Sequence, residues 1–357
     1  MKRGQRLFVI LSIFVAAIFF SQGLEAKTFR ITIGSGYNVD LYPVGKKWKD
    51  EVCPSIKSRV EKETEHKIDW VFAWAGAVAK VGEELEAIES GSLKMGLVVT
   101  PAETAKLYLN SFSYNVPFGS PDTEKACKVN LEVYRKNMIL QDAFGKYNQK
   151  WLGLYSYESY DILTNFPFQK LSDLKGKKIG ALGANIPWLT GIGAIPVQSN
   201  SGEAYTSIQT GVYQGFLFPI SYAVGPKVYE VAKYATFLSL GGPAGPCWTV
   251  NMDLWKSLPQ KVQQIIWEEA QKYNDAIPGV IAKMKNDAIQ QLKEKGVTFY
   301  TLPPEDRKEW MAALKDMPKN FIKECEKRGL PGKPVVQSYI QEMEKTGYTG
   351  PMKYNLD

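Results

Sequence analysis

Histidine is almost absent from this chain, which has one, His66, among its 357 residues. Serine and cysteine nucleophiles need a nearby imidazole as general base, so most such catalytic arrangements are excluded. The strings that mark phosphate-binding loops, α/β-hydrolase nucleophiles and zinc proteases do not occur either. We therefore predict that the protein is not an enzyme and has no catalytic residues. His66 lies in the polar stretch KETEHKIDW, before a strand, and is expected at the surface.

Cysteine is also scarce, with four residues at positions 53, 127, 247 and 325. In an oxidising compartment an even number permits zero, one or two disulfides, and the sequence does not choose among the three complete pairings. The wide spacing contains no CxxC pair, and with a single histidine it argues against a structural zinc site. We predict no metal site and no cofactor.

Long apolar runs are missing too, since none reaches the roughly 20 residues that a membrane-spanning helix needs. The longest, residues 7–20, is interrupted only by Ser12 and follows Lys2, Arg3 and Arg6. A short polar stretch then leads to Ala26, which is the pattern of a secretory signal peptide. We predict cleavage after Ala26, so that residues 1–26 are removed and the mature protein is exported. An uncleaved amino-terminal anchor is the alternative.

A large excess of either charge is lacking in the mature chain. Removal of three basic residues and Glu25 lowers the formal net charge from +7 to +5. Lysine and glutamate are mixed on what look like helix faces, which indicates solvated surface and no nucleic-acid site. The remaining roughly 330 residues exceed one minimal core and suit two lobes.

Alternating strands and helices run along the chain. Period-2 and period-3.6 patterns predict strands at 29–33, 68–74, 95–99, 151–155, 162–165 and 213–219, and helices at 44–60, 83–90, 121–137, 203–210 and 259–295. Ser120 is expected to cap the helix at 121–137. Such alternation predicts an α/β fold with parallel βαβ units, whose ligands sit at the carboxyl ends of the strands.

One ordered set of motifs is more specific. It comprises DLKGKKI at 173–179, IGAIPV at 192–197, GEAYTSIQTGV at 202–212, QG at 214–215, Pro219, VYEVAKY at 228–234, VN at 250–251 and WKSLP at 255–259. In order and spacing this set resembles the DctP-type solute-binding proteins of TRAP transporters, with looser similarity from residue 29 to about 345.

The resemblance implies a periplasmic-binding-protein fold, with two α/β lobes, a hinge and a long helix that spans both lobes. Lobe 1 is expected to combine residues 27–157 with 245–285, and lobe 2 residues 158–244 with 286–357. The implied function is to capture a small organic molecule in the cleft between the lobes, in the periplasm, and to deliver it to the large and small membrane permease subunits. The alternative is a periplasmic receptor that presents its ligand to a sensor or enzyme.

Three positions depart from the family pattern. TRAP receptors usually clamp a carboxylate with an arginine on the strand after the DLKG motif, and here that position is Gly180. A second position, often arginine, aligns approximately with Asp161, and the asparagine before the proline of the QG strand is Phe218. All three changes remove groups that suit an anion, so a conventional dicarboxylate is not expected.

Aromatic residues crowd the segments expected to line the cleft, among them Tyr37, Trp74, Tyr160 and Trp188. A neutral or aromatic ligand would be held by stacking and by hydrogen bonds from tyrosine hydroxyls and Asn185. This is our first prediction for the ligand class.

Two other ligand classes stay open. A cationic amine would use an aromatic cage with Asp161 as its counter-ion. A carboxylate would be held by Lys80, in a loop that faces the cleft in this family, or by backbone amides at a helix start.

Overall fold

The computed structural model describes residues 26–350 together with Tyr354 and Leu356. Apart from Ala26, the predicted signal peptide lies outside these residues. In the described part of the chain, no helix combines the length and the apolar character that a bilayer crossing requires.

The first sheet has five strands in the order β2-β1-β3-β10-β4. Their bounds are β1 Thr28–Gly34, β2 Lys67–Ala73, β3 Met95–Val98, β4 Gln149–Ser156 and β10 Ala244–Asn251. Strand β1 is parallel to β2 and β3, whereas β10 is antiparallel to β3 and β4. In β1, Ile31 and Ile33 are fully buried while Arg30 is exposed, as period-2 alternation predicts.

The second sheet has six strands in the order β11-β9-β5-β8-β6-β7. Their bounds are β5 Tyr160–Thr164, β6 Lys178–Ala181, β7 Ile195–Gln198, β8 Gly215–Pro219, β9 Tyr234–Phe237 and β11 Thr298–Thr301. Strand β6 is parallel to β7 and β8, and β9 is parallel to β11. Strand β5 is antiparallel to both β8 and β9.

The α/β class is confirmed, but both sheets are mixed and not purely parallel as predicted. The exceptions are β5 and β10, the strands that the chain enters directly from the other sheet, through residues 157–159 and 238–243. The predicted boundary at 157/158 lies in the first of these connections, and the one at 244/245 lies at the start of β10, just after the second.

Eleven helices cover the sheets in the described residues. They are α1 Pro43–Lys47, α2 Cys53–Glu63, α3 Glu84–Glu89, α4 Thr123–Lys136, α5 Met138–Asp142, α6 Ala204–Gln209, α7 Met252–Ser257, α8 Gln260–Glu294, α9 Pro304–Leu314, α10 Met317–Lys327 and α11 Gly332–Lys345. A π-helical turn, Trp48–Val52, joins α1 to α2. The residue that caps α4 is Asp122, whose side chain accepts a hydrogen bond from the amide of Lys125 at 3.0 Å, and not Ser120 as predicted.

The longest helix, α8, has 35 residues and connects the two halves of the molecule. It packs against β4, α4 and α2 around the first sheet and against a 3₁₀ segment, Ile220–Ala223, that follows β8 of the second sheet. This is the position that the family resemblance implies for a lobe-spanning helix. We call the first sheet with its packed helices lobe 1 and the second sheet with its helices lobe 2.

The carboxyl-terminal helices do not follow the predicted lobe division. Helices α10 and α11 pack against α4 and the 3₁₀ segment Tyr108–Asn115, both of lobe 1. Phe321 and Tyr339 share one hydrophobic core there with Phe112 and Tyr134. The assignment of residues 286–357 to lobe 2 is therefore wrong beyond α9, because the apolar faces of the last two helices are buried on lobe 1.

Two expectations for single residues are resolved by burial. The four cysteines are buried and unpaired, so of the three options the structure takes the one with no disulfide. His66 is only 3% exposed, and its Nδ1 accepts a hydrogen bond from the amide of Lys27 at 3.3 Å. Its ring also meets Phe29 edge to face, at 5.7 Å between centroids, so the expected surface position is wrong.

Candidate functional site

Two chain crossings lie side by side and form the hinge between the lobes. The amide of Tyr157 donates to the carbonyl of Pro243 at 3.0 Å, and the amide of Tyr160 donates to the carbonyl of Gly241 at 3.3 Å. Gly241 has φ +93°, and a Cβ there would meet the amide nitrogen of Gly119 at 2.6 Å. Only glycine fits this position, which lets the two crossings run against lobe 1.

A small cavity of about 20 Å³ lies beside this hinge, where the lobes meet. It is lined by Tyr37, Tyr157, Tyr160, Leu182, Ser201, Phe216, Leu217, Phe218, Pro219 and Tyr222. Tyr37 comes from lobe 1 and Tyr157 from the hinge, and the others come from lobe 2. The volume suits about one water molecule, so an organic solute enters only when the lobes separate or the rings turn.

Aromatic contacts hold the lobes together around the cavity. Tyr42 of lobe 1 stacks on Tyr222 of lobe 2, with ring centroids 4.3 Å apart and an interplanar angle of 24°. The hydroxyl groups of Tyr155 and Tyr222 are 3.0 Å apart. The indole Nε1 of Trp188, in lobe 2, donates to the carbonyl of Tyr114, in lobe 1, at 2.7 Å. The structure is therefore in a closed conformation.

The loop that presents Tyr37 is braced by a buried carboxylate. Glu84, at the start of α3, accepts hydrogen bonds from the amides of Gly36 at 3.0 Å and Gly82 at 2.8 Å. Burial raises the pKa of this carboxyl to about 8, although the two amides favour its charged form. A Cβ at Gly36 would meet the backbone of Val81 at 2.1 Å, so the two loops pack without space for a side chain.

Three of the nine predicted ligand contacts, Tyr37, Tyr160 and Phe218, line the cavity. The structure brings them together although they are distant in sequence. Their role as ligand contacts stays a prediction.

Gly180 lies next to the cavity wall, but the space that a side chain at this position would need is already filled. A Cβ at this position would lie 2.5 Å from Cδ2 of Phe216 and 2.8 Å from Cζ of Tyr213. Gly180 and Phe216 are direct partners in the β6–β8 ladder, so they share one face of the sheet. An aromatic ring therefore occupies the space into which a clamping arginine would extend.

Asp161 is buried but does not reach the cavity wall. It is the ladder partner of Phe218, yet its Oδ1 accepts a hydrogen bond from the amide of Leu238 at 2.8 Å, beyond the end of β9. Burial raises the pKa of the Asp161 carboxyl to about 6, and the charge of Lys285 opposes this shift. The expected counter-ion is directed to the hinge because a buried carboxylate needs donors, and the crossing supplies one.

Asn185 and Trp188 lie behind the wall, in the 3₁₀ segment Gly183–Leu189 that follows β6. Trp188 is fully buried, and its ring meets that of Tyr160 edge to face, at 5.4 Å between centroids. It supports a wall residue and is not itself on the wall. Asn185 is also fully buried, and neither atom of its carboxamide has a hydrogen-bond partner in the described residues.

Trp74 and Lys80, the remaining predicted contacts, are not on the cavity wall. The ring of Trp74 stacks on Phe72 at 5.8 Å and meets Trp248 edge to face at 6.4 Å, which makes it part of the lobe 1 packing. Lys80 is exposed, and its backbone amide donates to the carboxylate of Glu83 at 3.0 Å while its carbonyl accepts from the amide of Glu83 at 3.0 Å. Both lie in the loop after β2, which is joined to the Tyr37 loop by the hydrogen bond from the amide of Ala75 to the carbonyl of Tyr37 at 3.0 Å.

Some wall residues were not predicted as ligand contacts, chiefly Tyr222, Ser201 and Leu182. Each follows the carboxyl end of a parallel strand, since Leu182 follows β6, Ser201 follows β7 and Tyr222 follows β8. Ligand sites of α/β sheets usually lie at this position. The predicted ends of the strands could therefore have indicated these three residues.

A wider depression of about 480 Å³ lies between α11 and the residues that follow it, including Tyr348 and Leu356. All the residues that line this depression lie between positions 337 and 356, at the carboxyl-terminal end of the chain. A ligand that drives closure must contact both lobes in the closed state, so we place the candidate site at the smaller cavity between the lobes.

The cavity wall is rich in hydroxyl groups and has no charge. Among the described residues, none of the ten that line it is charged at neutral pH. Burial raises the pKa of the tyrosines at positions 37, 157, 160 and 222 well above the ordinary value, so they stay protonated. A protonated phenol donates one hydrogen bond and also accepts. In the described residues, no group of side chains is arranged to hold a metal ion.

Comparison with known proteins gives consistent results. The chain matches the family model described as bacterial extracellular solute-binding protein, family 7, over residues 44–324. It is 28% identical over 273 residues to the C4-dicarboxylate-binding periplasmic protein DctP of Rhodobacter capsulatus, covering 74% of this chain and 80% of that protein. It is 22% identical over 248 residues to the ectoine-binding periplasmic protein TeaA of Halomonas elongata, covering 69% and 72%.

A solved structure shows the shared fold. A TRAP periplasmic solute-binding protein from Bordetella bronchiseptica, with bound (R)- and (S)-mandelate, is similar with a TM-score of 0.77 at 17% sequence identity. The match covers 89% of this chain and 99% of that chain.

Proposed function

Because the chain belongs to bacterial extracellular solute-binding protein family 7, we propose that it is the solute-binding subunit of a TRAP-type secondary transporter. It captures a small organic molecule between its lobes and delivers it to the large and small permease subunits in the membrane. No bond of the solute is broken. The protein acts in the periplasm after removal of residues 1–26.

One observation carries this proposal: a cavity walled by both lobes lies beside a two-stranded hinge. Tyr37 reaches it from lobe 1 and Phe218 from lobe 2, so a solute there contacts both lobes only when they are closed. Such a solute shifts the population toward the closed form by its differential affinity. Closure is the state-dependent signal that a permease can recognise.

The solute is not held by an arginine clamp, since Gly180 and Phe216 occupy that place. The R. capsulatus relative is a C4-dicarboxylate-binding protein and the B. bronchiseptica structure holds an aromatic acid, so solutes differ among the proteins compared. We propose a small organic solute that is not a conventional dicarboxylate.

The test is to purify the mature protein, denature it, and identify any released molecule by mass spectrometry. The protein, freed of that molecule, is then melted with it and with a panel of small organic solutes. A true solute at 1,000 times its Kd adds about 4 kcal/mol to the free energy of unfolding. If no molecule is released and no solute raises the Tm, the proposed function is wrong.

Delivery to the permease needs a separate measurement. The protein and the two membrane subunits are reconstituted in vesicles with an ion gradient, and uptake of the identified solute is followed. Uptake should require all three proteins and should stop when the gradient is collapsed. Uptake without the soluble protein would contradict its role as receptor.

A further inference from the structure

Two carboxyl groups lie close to the cavity wall in sequence, and one oxygen of each is bound by a backbone amide. Glu158 is fully buried next to the wall residue Tyr157, but its Oε1 accepts the amide of Ser221 at 2.9 Å. The carboxylate of Asp161 accepts the amide of Leu238. Lys285, on α8, is the cation that acts on both carboxylates. The second oxygens, Oε2 of Glu158 and Oδ2 of Asp161, are buried without a hydrogen-bond partner among the described residues, and neither residue lines the cavity.

An ion placed in such a cavity would lose its hydration without gaining a partner. Burial of an unpaired charge is far more costly than burial of a neutral polar group, which needs only hydrogen bonds. A wall without charged side chains therefore selects against both carboxylates and amines. The selection is stronger because the closed cavity admits little water.

The wall does offer hydrogen bonds. Ser201 is 5% exposed, and among the described residues its Oγ makes no hydrogen bond of normal geometry, although it interacts with the hydroxyls of Tyr37 and Tyr42. Because those contacts are not well formed, this hydroxyl is available to a solute group. Since each neighbouring hydroxyl can donate or accept, the solute can present both kinds of group.

Phe216 and Phe218 provide an apolar part of the cavity wall. Their rings meet edge to face, with centroids 5.1 Å apart. Phe216 is fixed against Gly180, where no side chain separates it from β6. A rigid pair of phenyl rings favours contact with a flat ring by stacking and area burial.

We infer that the cleft selects an uncharged solute with a flat ring and a neutral hydrogen-bonding group, and that Phe216, packed on Gly180, determines this preference. The inference rests on the proposed receptor function, and it names the class of solute. The ring lies against Phe216 and Phe218, and the polar group faces Ser201 and the tyrosine hydroxyls.

The test uses three probes of equal shape and different charge: benzamide, benzoate and benzamidine. Binding of each to the full mature protein is measured by calorimetry at neutral pH. Benzamide is expected to bind at least about tenfold more tightly than either ion, because only the ions must be desolvated without a partner. Tighter binding of benzoate or benzamidine, or no binding of benzamide, overturns the inference.

Variants assign the preference to Phe216. The variant Phe216→Ala should weaken benzamide binding about tenfold through loss of the stacking surface. The control Phe237→Ala, in which the lost ring stacks on Phe299 away from the cavity, should change it less than about twofold. Equal losses in the two variants overturn the assignment.

Phe216→Arg places a guanidinium in the same space and should move the preference from benzamide to benzoate. If this variant does not fold, the inference is still tested by binding of the three probes to the wild-type protein and by the comparison of Phe216→Ala with Phe237→Ala. A protein that binds a charged solute from the panel and rejects benzamide keeps the receptor function and refutes this inference. A protein that no solute stabilises refutes both.

Discussion

Tyr42 and Tyr222 stack face to face across the two lobes, with ring centroids 4.3 Å apart. Tyr42 lies on a turn before α1, and Tyr222 lies just after β8. Tyr222 also meets the hydroxyl of Tyr155 in β4 at 3.0 Å. Tyr222 of lobe 2 thus contacts two elements of lobe 1. A substitution of Tyr222 is therefore the most direct test of lobe closure.

Replacing Tyr222 by alanine should open the unliganded protein. An aromatic pair contributes about 0.5–1.5 kcal/mol beyond area burial, and this stack exists only when the lobes meet. We expect a larger radius of gyration by small-angle X-ray scattering for Tyr222→Ala. The control Tyr300→Ala removes a stack with Tyr234 inside lobe 2 and should leave the radius unchanged. Equal radii for wild type and Tyr222→Ala would contradict the role of this stack.

Adding one methyl group at Gly180 should destabilise the fold. The new Cβ overlaps Phe216, and overpacking of a core costs about 1–3 kcal/mol. Urea unfolding of Gly180→Ala should show this loss. Gly279 lies in the middle of α8, and a Cβ there would meet no neighbouring element within 4 Å, so Gly279→Ala should instead stabilise by about 0.4–1 kcal/mol. If both substitutions stabilise the protein, Phe216 does not fill the space beside residue 180 and the prediction is wrong.

The buried hinge carboxylate Glu158 should make stability depend on pH. Burial raises its folded-state pKa from 4.5 to about 7. Between these values the folded state holds a proton that the unfolded state has released, so the free energy of unfolding falls as pH rises through this window. Below it both states are protonated, and above it both are ionised.

The variant Glu158→Gln isolates this effect, because Glu84 and Asp161 remain in both proteins. The difference in free energy of unfolding between wild type and variant should decrease from pH 4.5 to pH 7 and should be constant outside this range. Urea titrations at unit steps of pH measure it. A difference that is independent of pH would show that Glu158 does not titrate in this window.

Thiol counting tests the absence of disulfides. All four cysteines are buried and unpaired, and burial raises the pKa of the Cys247 thiol to about 12. With an aromatic disulfide reagent, native protein should react slowly, since the thiolate is the nucleophile. Protein denatured without reductant should release four equivalents. Two equivalents or none would reveal one or two disulfides.

Simple C4-dicarboxylates should stabilise the protein little. Succinate and malate carry two charges, and the cavity wall has no cation to pair with them. A thermal-shift series to millimolar concentration should move the Tm by less than the identified solute does at equal concentration. A large shift with succinate or malate would mean that a cation enters the cleft in the open form.

Local patterns were sufficient for β1 to β5 and β8, and for the helices α1 to α4, α6 and α8. Strands such as β1 and helices such as α4 have a periodicity that a short stretch of sequence carries by itself. Strand β10 was missed because Gly245 and Pro246 interrupt its pattern. The attachment of α10 and α11 to lobe 1 was also missed, since an apolar helix face does not say which partner buries it.

The candidate site was predicted in part. Tyr37, Tyr160 and Phe218 line the cavity because they lie at strand ends or turns that the fold brings together. Asp161 and Trp74 have the right residue types in nearby segments, but hydrogen bonding and packing direct them elsewhere. The direction of a side chain depends on partners that are distant in sequence, such as Leu238 and Trp248.

By itself, the sequence determined the family, because the family motifs are residue types at fixed spacing, and it has Gly180 where the resemblance implies an arginine. Only the tertiary structure decided which side chain lies beside Gly180. Phe216 is 36 positions away from Gly180 and becomes its neighbour through the β6–β8 ladder. The absence of charged side chains from the cavity wall is likewise a product of packing, since the backbone amides of Ser221 and Leu238, which are distant in sequence, bind the carboxyl groups of Glu158 and Asp161.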